Sequence, residues 1–181
     1  MRAADLSPDR EFSLADVAVQ DSEPSQLAAF RDLNLAWIRR YFAVEAADQV
    51  LLDDPQKGIL DQRGMILVAT WAAARGRAAD VIACCALLRD EQDTVMQLAK
   101  MAVAERFLGK RVGHLIGHAA IQRARQAGAS KLRLETNSKL IPAIRLYEKL
   151  GFVPVPARNS AYTRADVQMV IDLQSAAANC P

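Results

Sequence analysis

Residues 108–113, Leu-Gly-Lys-Arg-Val-Gly, combine two glycines four positions apart with two adjacent basic side chains. They lie between an apolar run and an amphipathic stretch, and this order predicts a strand-to-helix junction. The first N–H groups of a helix lack internal acceptors and the helix dipole places positive potential there, so phosphate oxygens are favoured. The segment indicates a phosphate-binding loop, with a tightly packed turn as the alternative. It is not a Walker loop, because no Gly-Lys-Ser/Thr closes it.

The charge distribution also favours an anionic ligand. Residues 100–150 carry 11 basic and 3 acidic side chains, a balance of +8, whereas residues 1–99 carry 10 basic and 16 acidic ones. A basic segment that also holds the glycines indicates a polyanionic ligand, either a phosphate-bearing cofactor or a nucleic acid. A solvated, arginine-rich helix face remains the alternative.

Length and composition fit one globular domain of ordinary type. The 181 residues are 51% hydrophobic and 24% charged, so we expect one domain over 13–174 with flexible tails at 1–12 and 175–181. No run approaches the roughly 20 apolar residues of a membrane helix, and the first residues lack a secretory apolar core. We therefore expect a cytoplasmic protein with no membrane partner. Three cysteines, Cys84, Cys85 and Cys180, suit a reducing compartment.

An α+β framework must position the loop. The apolar periodicities predict strands, helices and strands in the order β, α, α, β, β, β, α, β, α, β, β. The predicted strands cover 16–20, 65–73, 81–88, 95–104, 131–136, 152–155 and 167–173. One predicted helix begins at Pro24, and three others cover 46–52, 109–126 and 142–150. Three consecutive strands, the first two joined by a turn at Arg75, Gly76 and Arg77, predict an antiparallel meander. The glycine at 128 is expected to cap the 109–126 helix.

At this point the sequence resembles a known family. The residues that carry the resemblance are Met101-Ala-Val, Gly109-Lys-Arg-Val-Gly113, Leu132-Arg-Leu-Glu135 and Ala143-Ile-Arg-Leu-Tyr147-Glu-Lys-Leu-Gly-Phe152. They look like the GNAT superfamily of acyl-CoA-dependent N-acetyltransferases. The resemblance implies a mixed, mostly antiparallel central sheet with helices on both faces. It also implies acetyl-CoA as co-substrate, a small-molecule or protein amine as acceptor, and no nucleic acid. Dimers are frequent in similar proteins, so a homodimer is one candidate assembly.

By this resemblance, the strand at Met101, Ala102 and Val103 pairs its backbone with the pantetheine arm. The pyrophosphate lies on the loop of Leu108, Gly109, Lys110, Arg111, Val112 and Gly113. The family's loop reads Gln/Arg-x-x-Gly-x-Gly/Ala, and this chain places Leu108 at the first position and Arg111 at the middle glycine. An asparagine that is common before the last long helix corresponds to Leu140, with Asn137 nearby.

The resemblance also implies the chemistry at the thioester. Tyr147 matches the tyrosine that protonates the departing thiolate, and a phenol of pKa about 10 is protonated at neutral pH. A half-buried tyrosine packed on Phe152 is the alternative. Many relatives carry a glutamate base where this chain has Gln97. Glu135 is the best remaining carboxylate for that role, with a surface partner for Arg133 or Lys131 as an equal alternative, and deprotonation through water as a third route.

Other reactive side chains have simpler interpretations. His114 and His118 lie one helical turn apart but lack a third ligand, so no metal is expected. Cys84 and Cys85 lie in an apolar run and are interpreted as core residues. By family analogy Trp37, Tyr41, Phe42 and Glu45 form part of the acceptor pocket, and the carboxylates between Glu45 and Asp61 could attract a cationic amine. The main competing function is a non-catalytic acyl-CoA-binding module. A nucleic-acid binder ranks lower, since no recognition motif is present.

Overall fold

A computed structural model describes residues 11–73, 78–90, 94–156 and 160–174. The helices are α1 (Leu27–Tyr41), α2 (Ala46–Leu52), α3 (Val112–Gln126) and α4 (Ile141–Lys149). The strands are β1 (Ala18–Asp21), β2 (Met65–Trp71), β3 (Asp80–Arg89), β4 (Val95–Val103), β5 (Lys131–Thr136), β6 (Val153–Val155) and β7 (Val167–Asp172). Four expected features lie wholly or partly outside the described residues: the turn at 75–77, the first ten residues of the 1–12 tail, the tail at 175–181, and Cys180.

The element order agrees with the α+β prediction, and most boundaries differ by one to three residues. The helix predicted from Pro24 begins at Leu27, after a 3-10 turn over Pro24–Gln26, and two further differences have a clear physical reason. The predicted strand at 16–20 is a 3-10 turn over Leu14–Asp16 followed by β1, because pairing with β2 begins at Ala18. The predicted helix at 109–126 begins at Val112, because Gly109 and Arg111 have φ of 74° and 64°, which no right-handed helix accepts. A π-helical turn over Gln56–Leu60 was not expected.

The seven strands form one sheet in the order β1-β2-β3-β4-β5-β7-β6. All neighbours are antiparallel except β4 and β5, which confirms both the meander and the mostly antiparallel sheet. The sheet separates two apolar layers, one against α1 and α2 around Phe30 and Ile38, and one against α3 around Ile116 and Ala120. Helices therefore cover both faces. Within the described residues, no helix has the length and apolarity that crossing a membrane requires.

The sheet opens between its two parallel strands, and this opening defines the site. The pairing of β4 with β5 ends at Leu98 opposite Leu134, although β4 continues to Val103 and β5 to Thr136. Beyond that point, β3 is the only described strand with which β4 pairs. One edge of β4 therefore offers free backbone N–H and C=O groups to a ligand between the diverging strands. We call this opening the fork.

A bulge lies in β4 at the fork. Ala99 pairs with Ala86 and Ala102 with Cys84, so β4 has one residue more than β3 in this interval. Lys100 absorbs the extra residue with φ of 51°. A bulge bends the strand and redirects its side chains. Here it directs Lys100 toward α2, where its ammonium group reaches Asp48.

Candidate active site

A cavity of about 1250 Å³ lies in the fork. This volume exceeds the roughly 300–1,000 Å³ usual for a drug-sized ligand, so it has room for two reactants. Its walls come from both sides of the sheet: the 108–114 segment and α4 at one end, and α1, residues 162–165 and the fork itself at the other. Every residue of the predicted phosphate loop except Lys110 lines this cavity, as do Tyr147 and Glu135.

The 108–113 loop has the backbone of an anion site. Within the described residues, the N–H groups of Gly109 and of residues 111–114 have no hydrogen-bond acceptor. Arg111 adopts the left-handed conformation at the start of α3, with φ of 64° and ψ of 6°, the region that favours glycine. A side chain at Gly109 would meet open space. The residues therefore fit an anionic group that approaches closely and accepts from several amides.

Some side chains of the 108–113 loop line the cavity, and Lys110 points away from it. Leu108 and Arg111 are exposed and line the cavity. Lys110 turns away, and its ammonium nitrogen lies 5.1 Å from the centre of the Phe12 ring and 5.5 Å from that of Phe107. Further cations on the same part of the cavity come from α4 and the residues before it, namely Lys139, Arg145 and Lys149. The expected basic surface for a polyanion is therefore present, although Lys110 is not part of it.

Two glycines on one face of α3 bring α4 close. A Cβ atom at Gly113 would lie 3.2 Å from Leu146, and one at Gly117 would lie 2.6 Å from Leu150. Leu146 precedes Tyr147 on α4 and Leu150 directly follows that helix, so this close approach helps to position Tyr147. Gly128, with φ of 83°, ends α3 as expected.

Tyr147 combines a packed ring with an unpaired hydroxyl. Its ring lies edge-on to Phe152, with centroids 5.9 Å apart. Within the described residues its hydroxyl has no hydrogen-bond partner, and the residue lines the cavity. Burial, with a smaller contribution from Cys85, raises the pKa of Tyr147 to about 12. The hydroxyl therefore stays protonated at neutral pH and can donate to a group in the cavity.

Glu135 points away from the Leu132 and Leu134 face, as its alternation predicted. Ser160 Oγ donates to one carboxylate oxygen at 2.7 Å, and Gln168 Nε2 donates to the other at 3.0 Å. Arg133 instead donates to Gln97 Oε1 at 3.5 Å. Glu135 is thus oriented by neutral donors at the fork rather than by the cation that the surface-pair alternative required.

Asn137 is engaged within the protein. Its Nδ2 donates to the carbonyl oxygen of Arg164, and its Oδ1 accepts from the N–H of Lys139 at 2.9 Å. It lines the cavity, as does Leu140 at the start of α4. The asparagine therefore shapes the turn before α4, with its amide nitrogen and its oxygen each engaged in one hydrogen bond.

A buried ion cluster beside the fork was not anticipated from the sequence. Lys100 Nζ donates to Asp48 Oδ1 at 2.5 Å and to the Tyr162 hydroxyl at 2.9 Å. Arg164 donates to both oxygens of Asp48, at 2.8 and 2.6 Å, and to Glu45 at 2.9 Å. The Asp48 side chain is 0% exposed and that of Lys100 is 5% exposed. We call Glu45, Asp48, Lys100, Tyr162 and Arg164 the buried cluster.

The cluster shifts the ionisation of its members. Burial alone would raise the pKa of Asp48, but hydrogen bonds from Arg164 and Lys100 outweigh it and lower the pKa to about 2. Burial lowers the pKa of Lys100, and the ion pair with Asp48 opposes that shift. Burial, followed by the charge of Asp48, raises the pKa of Tyr162 to about 12. Asp48 is therefore ionised at neutral pH and its charge is compensated within the protein.

Little in the sequence pointed to this cluster. Asp48 and Lys100 are 52 positions apart along the chain, and Lys100 and Arg164 are 64 positions apart. One signal was available: Lys100 is the only charged residue in the run of β4, Met-Gln-Leu-Ala-Lys-Met-Ala-Val. A charge inside an apolar strand is seldom buried without a partner. Arg164 lies in a stretch without periodicity and gave no signal.

The two histidines and the two adjacent cysteines considered in the sequence analysis also have defined places in the structure. His114 lines the cavity and His118 is exposed. In the described part of the chain, no three His, Cys, Asp or Glu side chains are grouped so as to hold a metal. Cys84 and Cys85 are fully buried on opposite faces of the sheet, as expected for core residues. Burial raises the pKa of Cys84 to about 12 and that of Cys85 as well.

The aromatic residues at the end of α1 line the cavity near the buried cluster. The Trp37 ring lies 5.4 Å from that of Tyr41 and 5.9 Å from that of Phe42. Glu45 itself is occupied by Arg164 and by the N–H and hydroxyl of Thr163. The expected aromatic wall is therefore on the cavity, whereas Glu45 is a structural partner behind it.

Comparison with known proteins agrees with this geometry. The family described as "Acetyltransferase (GNAT) family" matches residues 28–152. YvbK of Bacillus subtilis (strain 168), an uncharacterized N-acetyltransferase, is 31% identical over 111 residues, covering 60% of this chain and 67% of that protein.

Two solved structures share the fold. An acetyltransferase of the GNAT family from Staphylococcus aureus Mu50 has a TM-score of 0.73 at 16% identity, covering 87% of this chain and 99% of that one. Spermidine N-acetyltransferase from Vibrio cholerae, solved with CoA and spermine, has a TM-score of 0.65 at 17% identity, covering 88% and 97%. Because the family match spans more than half of the sequence, this chain belongs to the GNAT family of acetyltransferases and is an acyltransferase.

Proposed function

We propose that this protein transfers an acetyl group from acetyl-CoA to a primary amine by direct attack in a ternary complex. One observation carries the proposal: a single cavity joins the free N–H groups at the start of α3 to Tyr147 and Glu135. Such a cavity connects a phosphate site to a proton donor and a carboxylate. The Vibrio cholerae relative, solved with CoA and spermine, supports the same pairing of reactants.

The residues at the fork fit coenzyme A. The pyrophosphate would accept from the N–H groups of Gly109 and residues 111–114, with Arg111 adding charge. The pantetheine arm would pair with the free edge of β4 at Met101, Ala102 and Val103. When bound, acetyl-CoA supplies a thioester carbonyl as the acceptor of the amine and a thiolate as the leaving group.

Glu135 would remove the proton that the amine carries. An alkyl ammonium of pKa about 10.4 must lose its proton before attack, which costs about 5 kcal/mol at pH 7. A carboxylate within reach helps to meet that cost. Because Ser160 and Gln168 hold Glu135 through neutral donors, its negative charge stays available to the ammonium group.

Tyr147 would donate a proton or a hydrogen bond to the departing sulfur. Its hydroxyl is protonated throughout the neutral range and lacks a partner within the described residues. Gly113 and Gly117 bring α4 close enough to hold the ring against Phe152. The donor is therefore rigidly placed, which general acid catalysis requires.

The first experiment measures thiol release from acetyl-CoA with a library of primary amines and peptides. We expect turnover by the wild type, and a loss in kcat of about 10²-fold or more for Tyr147→Phe with CoA binding retained. Wild-type kcat in Tyr147→Phe would contradict the role of the hydroxyl.

A second pair of variants tests the base. Glu135→Gln should lower kcat/KM by a factor of the same order, while Glu148→Gln, an exposed carboxylate of α4, should leave it unchanged. Equal activities for Glu135→Gln and Glu148→Gln would remove Glu135 from the mechanism and favour deprotonation through water.

Cofactor binding is tested separately. CoA at 100 times its Kd should add about 2.7 kcal/mol to the free energy of unfolding. A second candidate, a non-catalytic acyl-CoA-binding module, is favoured by Gln97, Leu108 and Arg111, which depart from the family pattern. That candidate becomes the better one if CoA stabilises the protein and no amine supports thiol release.

A further inference from the structure

The acceptor end of the cavity has an unusual charge balance. We define the acceptor chamber as the part of the cavity bounded by α1, by Lys100 and Glu135 at the fork, and by residues 162–165. From its composition we infer that the acceptor is a small primary monoamine with an apolar or aromatic body, and that diamines and polyamines are disfavoured. This inference rests on the amine acetylation proposed above.

The carboxylates expected to attract a polycation are already paired. Asp48 accepts from Lys100 and from two nitrogens of Arg164, and its Oδ2 also accepts from the N–H of Glu45 at 2.9 Å. Glu45 accepts from Arg164 and from Thr163. Neither carboxylate lines the described part of the cavity, whereas their cationic partners Lys100 and Arg164 do.

Glu135 is the only carboxylate among the described residues that line the cavity. Its two oxygens accept from the neutral side chains of Ser160 and Gln168. Among the described residues, the chamber therefore offers one negative group that no ion pair compensates, which matches one ammonium group. A second ammonium group on the same acceptor has no carboxylate on the cavity wall to pair with.

The rest of the chamber wall is aromatic. Trp37, Tyr41 and Phe42 form a contiguous set of rings, and Trp37 is half-buried. Rings of this kind bury an apolar or aromatic body favourably. A monoamine could thus place its nitrogen at Glu135 and its body against Trp37.

Aromatic rings can also attract cations, so a second ammonium group could in principle bind there. The protein already places its own cations over Tyr41, over Phe42 and over the neighbouring Tyr162. Arg164 lies 5.7 Å from the centre of Phe42 and 4.7 Å from that of Tyr162, Lys100 lies 4.5 Å from that of Tyr162, and Arg40 lies 5.5 Å from that of Tyr41. A further cation at Tyr41, Phe42 or Tyr162 would meet a like charge, which is unfavourable at short range.

The test compares two amines of one length. Hexylamine and 1,6-diaminohexane differ only in a second ammonium group, and we expect kcat/KM for hexylamine to be about tenfold higher. A ratio below three, or spermidine as the best substrate of the set, would overturn the inference. If no amine gives turnover, the proposed function itself fails, so the two failures are distinguishable.

A charge variant tests the cause of the preference. Lys100→Met removes one cation facing the chamber at nearly constant side-chain length, so Asp48 is less compensated. We expect the ratio of kcat/KM for hexylamine to that for diaminohexane to fall at least threefold. Lys57 is exposed and does not line the cavity, so Lys57→Met should keep the wild-type ratio. An unchanged ratio in folded Lys100→Met would overturn the charge argument.

A wall variant keeps the inference testable if Lys100→Met does not fold. Trp37→Ala should lower kcat/KM for phenethylamine at least fivefold and leave kcat/KM for methylamine within twofold, because methylamine has no body to pack on the ring. Equal losses for the two amines would overturn the aromatic-wall argument.

Discussion

Replacing Asp48 with asparagine removes a buried charge while keeping the shape of the side chain. Lys100 and Arg164 would then remain beside a neutral amide, with Lys100 only 5% exposed. Removing one partner of a buried ion pair destabilises a protein by about 3–5 kcal/mol. We therefore expect Asp48→Asn to lower the free energy of unfolding by about 3–5 kcal/mol at pH 7. For a domain of this size the midpoint temperature should fall by about 6–20 °C.

Part of this loss should depend on pH. The pKa of Asp48 is about 2 in the folded protein against an ordinary value of 3.8. A lowered pKa means that ionisation favours folding, so the contribution is complete above about pH 4 and is lost as the pH falls through 2. The shift corresponds to roughly 2 kcal/mol. The difference between wild type and Asp48→Asn should shrink by about that amount between pH 5 and pH 2.

Chemical denaturation followed by tryptophan fluorescence measures both quantities, since the chain has two tryptophans. Asp53→Asn, at an exposed position directly after α2, is the matched control and should change stability by less than about 0.5 kcal/mol. A loss below 1 kcal/mol for Asp48→Asn, or a difference from wild type that is constant with pH, would refute the reasoning.

Two further predictions concern the cofactor end of the cavity. Arg111→Gly should be more stable than Arg111→Val by about 1–2 kcal/mol, because the left-handed conformation at this position suits glycine and opposes a β-branched side chain; equal unfolding free energies would contradict that strain. Gly117→Val should destabilise by about 1–3 kcal/mol through its overlap with Leu150 and should lower kcat, because α4 carries Tyr147. The exposed neighbour variant His118→Val should change stability by about 0.5 kcal/mol or less, and similar stabilities for the two valine variants would show that α3 and α4 are not closely packed at Gly117.

The sheet was predictable because each strand has a strong local pattern. Leu132 and Leu134 alternate with Arg133 and Glu135. The structure buries the two leucines, and on the other face Arg133 is exposed and Glu135 is half-buried. The strand order of the meander followed from short connections. The loop at 108–113 was placed by its glycines, and its left-handed Arg111 explains why the helix begins later than the amphipathic pattern indicated.

The buried cluster was not predictable, because its members meet only after the fold is complete. Asp48 is the third residue of α2, a position where an acidic side chain commonly caps the helix. Because capping alone accounts for an acidic residue at this position, the sequence gives no sign of the contacts that Asp48 makes with Lys100 and Arg164. The same holds for the β4 bulge, since a single extra residue leaves no mark in the apolar pattern of the strand.

The position of β7 between β5 and β6 has a consequence for synthesis of the chain. β5 and β6 precede β7 in sequence but do not pair with each other. Until residues 167–172 leave the ribosome, β5 has an unpaired edge next to the fork and β6 has no partner. A nascent chain therefore cannot close its cavity in the order in which it is made, and it exposes strand edges that can pair wrongly with another copy. Deleting residues 167–172 would make that exposed state permanent.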